Sequence, residues 1–270
     1  MSRHHALLTR APHKSRPALT VMGDISLAQM RVHEICGLAR RTLAVWIADA
    51  VQRSGPGPVI WVSPPWERDD LFATGLAQIC APERFLFVRP KRAEDILWTL
   101  EEVLRSGAVP LVVGDLPGFP SLTQVRRMHL AAEAGAEALG GKPLGLLLTP
   151  GQSGATSESA AGGVSGGAPG VETRWSLTPA HTPETPGWRL TRLRARTAPV
   201  RSWRVQQGAD GPELLSVSAP DRLPPDKIPP DTQAPDTQAP DTCAGSAPSS
   251  VSAPPPAFAP TAANGRSNRR

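Results

Sequence analysis

Arg31-Val-His-Glu-Ile-Cys-Gly-Leu-Ala-Arg-Arg-Thr-Leu-Ala-Val-Trp-Ile-Ala-Asp-Ala-Val51 is the stretch that decides the fold. It reads as a strand, a short turn and a helix, which is the setting of a phosphate-binding loop. A working loop has the form G-x-x-x-x-G-K-[ST]: backbone N–H groups cradle the phosphates, and Lys and Ser/Thr reach phosphate and Mg²⁺. Here Gly37 is followed only by Leu38, Ala39, Arg40 and Arg41 before Thr42. The second glycine and the lysine are missing, and the loop is shorter than that pattern. Arg40 and Arg41 can attract an anion at a helix N-terminus, but they cannot form the nest that a triphosphate needs.

Outward from this segment, short β-like runs alternate with longer amphipathic ones, the pattern of an α/β fold with a mostly parallel sheet flanked by helices. The strand candidates are Val32–Cys36, Val59–Val62, Phe85–Val88, Pro110–Val113 and Leu144–Leu148, followed by Thr173–Leu177, Trp188–Arg196 and Ser202–Gln206. The helix candidates are Thr42–Arg53, Asp69–Ile79, Ala93–Arg105 and Thr123–Leu139. In the third of these, Ile96, Leu100, Val103 and Leu104 fall on one face. Leu111-Val112-Val113 is continuously apolar, as a strand buried on both faces should be.

The chain carries 31 Pro and 24 Gly, and they crowd into particular stretches. Residues 1–20 read as a flexible basic arm, 21–217 as the α/β domain, and 151–170 within it as a flexible Gly/Ser loop. From 218 to 270 the sequence reads as a disordered tail built on PDRLP, PDKIP, PDTQA, PDTQA and PDTCA. Proline at every fifth position removes backbone donors, and so few apolar groups cannot offset the entropy of ordering.

The formal charge is +5, and much of it sits in the two ends, so composition alone speaks only to non-specific affinity for anions. Cys36, Cys80 and Cys243 have no zinc or disulfide spacing and fit a reducing compartment. No apolar run approaches the ~20 residues of a membrane helix, and the N-terminal arm lacks the apolar centre of a signal peptide. A cytoplasmic location without membrane contact is expected.

The histidines His4, His5, His13, His33, His129 and His181 show no paired ligand spacing, and no G-x-S-x-G elbow is present. No metal, cofactor or catalytic residue is expected. Glu101-Glu102 and Asp69-Asp70 read as solvated helix faces, and Trp46, Trp61, Trp66 and Trp98 as core. Arg189, Arg192, Arg194, Arg196, Arg201 and Arg204 form a denser basic group on adjacent strands. They read either as a solvated face or as a surface for an acidic protein or a phosphate backbone. Arg192, Arg194 and Arg196 alternate with Leu193 and Ala195, which predicts a single exposed row.

Arg31–Val51 resembles the phosphate-loop segment of the RecA recombinase family. Val59-Ile-Trp-Val-Ser-Pro-Pro resembles that family's second strand, which ends in the glutamate that activates water. That place falls on or beside Pro65, with Glu67 nearby but out of register. Leu104–Asp115 resembles the helix and strand that end in a Mg²⁺-associated aspartate, so Asp115 stands as an isolated survivor.

Within that superfamily the chain is similar over roughly residues 22–206 to the ImuA group, the SulA-related inducible mutagenesis proteins. The residues that carry this are His33-Glu34, Val59-Ile-Trp, Ile96–Ala108, Val112-Val-Gly-Asp-Leu, Arg126-Arg127 before Leu130–Gly135, Thr173-Arg-Trp and Trp188–Arg194. The resemblance implies a RecA-like domain without catalysis, serving as an accessory adaptor in error-prone translesion DNA synthesis. The partners implied are an ImuB-like pseudo-polymerase, a DnaE2-type polymerase and RecA. A DNA- or RecA-filament-binding modulator, with weak direct DNA affinity through Arg189–Arg204, is the competing expectation. A residual ATPase is disfavoured by the missing lysine and the short loop. Gly37, Arg40, Arg41, Thr42 and Asp115 are then vestiges of a nucleotide site.

Overall fold

The computed structural model describes residues 17–67, 71–150, 166–196, 198–208 and 211–215. Thr197, most of the basic arm, the greater part of the Gly/Ser loop, the acidic pair Asp69-Asp70 and the whole PD repeat lie outside them. The elements in chain order are β1 (Ala18–Met22), β2 (Ile25–Ala28), β3 (Val32–Cys36), α1 (Arg40–Ser54), β4 (Val59–Val62), α2 (Ala73–Leu76) and β5 (Phe85–Val88). There follow α3 (Ala93–Ser106), β6 (Leu111–Asp115), α4 (Leu122–Leu139), β7 (Leu144–Leu148), β8 (Thr173–Pro179), β9 (Gly187–Ala195), β10 (Arg201–Gly208) and β11 (Gly211–Leu215).

Nine strands form one sheet in the order β11-β10-β9-β8-β3-β7-β6-β4-β5. The six strands from β8 to β5 are parallel, and β9, β10 and β11 continue from β8 as an antiparallel meander. This is the α/β architecture, with a mostly parallel sheet flanked by helices, that the alternation of runs predicts. The central strands β3, β6 and β7 are buried along their whole length because helices cover both faces.

On one face, α1 and the β1–β2 hairpin bury Leu43, Trp46 and Ile47 against Ile35, Val113 and Leu146. On the other, α3 and α4 bury Ile96, Leu100, Leu104, Val125 and Met128 against Val32, Val112 and Leu147. A Cβ on Gly135 of α4 would stand 2.2 Å from the Leu104 carbonyl oxygen, so glycine is what lets α4 approach α3 that closely. The start of α4 is fixed by a capping box: the Ser121 hydroxyl accepts from the Gln124 N–H, and the Gln124 side chain accepts from the Ser121 N–H.

Several expectations are corrected. The arm does not run to residue 20, because Ala18 already begins β1. The helix expected over Asp69–Ile79 is a single turn, Ala73–Leu76. At Gln78 the backbone hydrogen bond shortens to Gly75 O, and Gly75 weakens the helix it sits in. The strand expected at Pro110–Val113 runs on to Asp115. Strand β11 follows β10 through a short connection and accommodates Pro212 because it is the sheet's edge. Trp46 and Trp61 are core, but Trp66 and Trp98 are 57% and 61% exposed. Glu101 is buried and ion-paired to Arg105 and Arg127, so it is not part of a solvated face. Ala168, at the end of the Gly/Ser segment, is packed into the core.

Among the described residues, no helix is long and apolar enough to cross a membrane.

Candidate functional site

The C-terminal ends of parallel strands are where open α/β sheets bind ligands, and the turn of residues 37–39 lies there, after β3. Only Gly37, Leu38 and Ala39 separate β3 from α1, so Arg40 and Arg41 belong to the first helical turn and not to the loop. Gly37 has φ +93°, and a Cβ on it would meet the Leu177 carbonyl oxygen at 2.4 Å and the Ser176 Oγ at 2.9 Å. The turn is therefore pressed onto β8. The Ala39 N–H donates to the Leu177 carbonyl and the Arg40 N–H to the Gly37 carbonyl. Donors that would face a phosphate in a working loop are spent on the protein's own backbone.

A helix N-terminus carries the positive end of the macrodipole, and α1 starts with two arginines, no acid in its first turn and no side-chain cap. The compensation comes from other strands. The Arg41 Nε–H donates to Asp115 Oδ2 at 2.7 Å, and the Arg41 Nη2 lies 3.5 Å from Glu67 Oε2. Arg40 Nη2 lies 3.7 Å from Asp115 Oδ1. Asp115 is buried at the end of β6, whereas Glu67 reaches the site through a turn closed by its own N–H on the Pro64 carbonyl. Thr42 is half-buried in the same helical turn.

Asp115 is thus not the isolated carboxylate that the sequence suggested. Together with Glu67 it clamps Arg41, and Pro65 is exposed and offers no ionisable group. The two guanidiniums and two carboxylates balance in charge, and only the buried Arg40 Nε–H is left without a hydrogen-bond acceptor among the described residues. Arginine cannot give up its proton, so neither Arg40 nor Arg41 can act as an acid here. A Mg²⁺ at Asp115 would have to break its 2.7 Å pair with Arg41 at a buried carboxylate, which is costly.

The six arginines of the meander do not act together. The register pairs Arg174 with Arg194 but Trp175 with Arg192, so β9 bulges at Leu193 and its side chains change face there. Arg192 lies on the α1 face, 5.8 Å from the Trp175 ring and 5.4 Å from the Trp203 ring. Arg201 stacks on Trp203 at 5.0 Å and pairs with Asp24 at 3.3 Å. Arg194 shares the opposite face with Arg189 and Arg204, and Arg196 stands exposed just past the strand. The predicted single row of Arg192, Arg194 and Arg196 is corrected: the extra residue of the bulge breaks the two-residue period.

A second buried network escaped the sequence reading. Glu34 in β3 accepts from Thr149 Oγ1 at 2.7 Å and from the Ala168 N–H at 3.0 Å, and Arg174 Nε lies 3.3 Å away. Burial raises its carboxyl above the ordinary value, against the Thr149 hydrogen bond and the Arg174 charge. Its one visible signal is an acid, beside His33, between the apolar residues of a short strand. Its role is to pin the returning segment at Ala168 onto the sheet. Among the described residues, no group of three or more His, Cys, Asp or Glu is placed to hold a metal ion.

Neither a comparison with protein-family models nor one with curated proteins finds a match for this chain.

Proposed function

We propose that the chain is a non-catalytic accessory protein of inducible error-prone translesion DNA synthesis. In this reading it works in the cytoplasm as an adaptor between an ImuB-like pseudo-polymerase and a DnaE2-type polymerase. The observation that carries the non-catalytic half is Arg41 held between Asp115 and Glu67, where a nucleotide-dependent relative would need open carboxylates and a free phosphate nest. The ordered set of residues shared with the ImuA group supports the pathway. Exposed Phe72, Trp66, Trp98 and Phe87 supply large apolar side chains of the kind that anchor protein interfaces.

The test is a pull-down of the tagged full chain against purified ImuB-like and DnaE2-type proteins. Capture of either one, without added nucleotide, is the expected result. Capture of neither, alongside retention of RecA filaments, would favour the modulator reading.

A further inference from the structure

Among the described residues, the α3–α4 face of the sheet is covered only as far as β8. Beyond it, β9 and β10 present Arg189, Thr191, Arg194, Ser202 and Arg204 outward, with no helix over them among the described residues. The geometry points to this open face as a docking surface for the phosphodiester backbone of single-stranded nucleic acid, held by Arg189, Arg194 and Arg204. The inference is independent of the adaptor reading.

Three observations carry it. First, Arg189 and Arg204 sit directly opposite each other on neighbouring strands, a like-charge pairing that disfavours the sheet unless an anion lies across it. Neither they nor Arg194 has an ion-pair partner within 4 Å among the described residues, although each is exposed. Glu213 on that face stands opposite Gln206 and not opposite an arginine, and Glu34 of β3, whose charge Arg194 feels, is buried and already held by Thr149, the Ala168 N–H and Arg174. Second, the arginines are interleaved with hydroxyls. Thr191 and Ser202 face one another at 3.0 Å, with Ser176 in register beside Thr191. Guanidinium and hydroxyl donors are what phosphate oxygens accept from.

Third, the face is poor in apolar side chains: only half-buried Leu193 and Leu215 belong to β9 and β11 there. A protein interface needs an apolar centre, which this surface lacks. All the tryptophans of the meander lie on or toward the other face, where Arg192 and Arg201 cover Trp175 and Trp203. The bases therefore find no stacking platform, and no element projects to enter a duplex groove. A single strand lying along the row, roughly 15 Å from Arg189 to Arg194 by strand rise, is held through its backbone and without sequence preference.

The experiment is fluorescence anisotropy of labelled oligothymidylate with the full chain across a salt series. The variants are R189S/R194S/R204S and, as a control on the other face, R192S/R201S, each checked for folding by circular dichroism. The wild type and the control are expected to bind alike. The triple variant should bind at least about tenfold more weakly, and its log–log salt slope should fall by about 2, since each single-strand phosphate contact contributes ~0.7. Equal binding by the triple variant and wild type, or no binding by wild type, would overturn the proposal. So would polyglutamate competing as well as unlabelled oligothymidylate, because the face would then be a site for acidic protein.

Discussion

Two arginines at the head of a helix are a local conflict, and Asp115 resolves it. Its carboxylate is buried and meets both guanidiniums, whereas Glu67 is partly exposed and meets Arg41 at 3.5 Å. Removing a buried partner leaves its cations against the helix dipole, so Asp115→Asn is expected to destabilise the fold by about 2–3 kcal/mol. Glu67→Gln should cost less than about 1 kcal/mol, as exposed pairs do. Thermal unfolding followed by circular dichroism reads the difference, and equal losses for the two variants would contradict the assignment of Asp115 as the anchor. The residue types at this site were legible in the sequence, and their pairing was not. Arg41 and Asp115 are 74 positions apart and meet only because β3 and β6 end at the same edge of the sheet.

At the level of elements, the β1–β2 hairpin is tied to the sheet through His33. Its Nε2–H donates to the Ala28 carbonyl at 2.9 Å, and its Nδ1 accepts from the Thr173 hydroxyl at 2.6 Å. That hydroxyl also accepts from the Trp175 Nε1–H. Burial holds the imidazole neutral and lowers its pKa from 6.5 to about 4. Between those values the unfolded chain takes up a proton that the folded one refuses. The His33 contribution is therefore fully present above pH 6.5 and is lost as the pH falls toward 4, by up to about 3 kcal/mol. Glu34 titrates in the opposite sense because its carboxyl is raised, so the His33 part is read as a difference between proteins. Denaturant unfolding of wild type and His33→Gln from pH 7 to pH 4.5 should show a steeper loss for wild type. Parallel curves would mean that folding leaves the His33 pKa unchanged and would contradict its burial as a neutral imidazole.

The hairpin itself was legible, though the reading passed over it. Leu19 and Val21, then Ile25 and Leu27, alternate around Gly23-Asp24, a two-residue turn signal. The surrounding basic arm masked it. The bulge at Leu193 had no such signal, because one inserted residue leaves the local sequence unchanged while reversing every side chain after it.

For the whole molecule, the alternation of strands and helices was readable because strands buried on both faces, such as Leu111–Val113 and Leu144–Leu148, are almost wholly apolar. The edge strand β11 was not, since Gly211-Pro212-Glu-Leu-Leu215 carries no strand pattern of its own and is held by pairing with β10. What the assembled molecule adds is the surroundings of the turn at residues 37–39. Its missing glycine and lysine argued for weak nucleotide binding, and the folded chain puts protein groups where the ligand's would be. Gly37 leans on β8, Ala39 donates to Leu177, and Arg41 lies between two carboxylates. The most direct measurement is isothermal titration calorimetry of Mg-ATP into the full chain. No binding heat is expected at micromolar protein, and submicromolar affinity abolished by Thr42→Ala would show that the turn still holds a nucleotide.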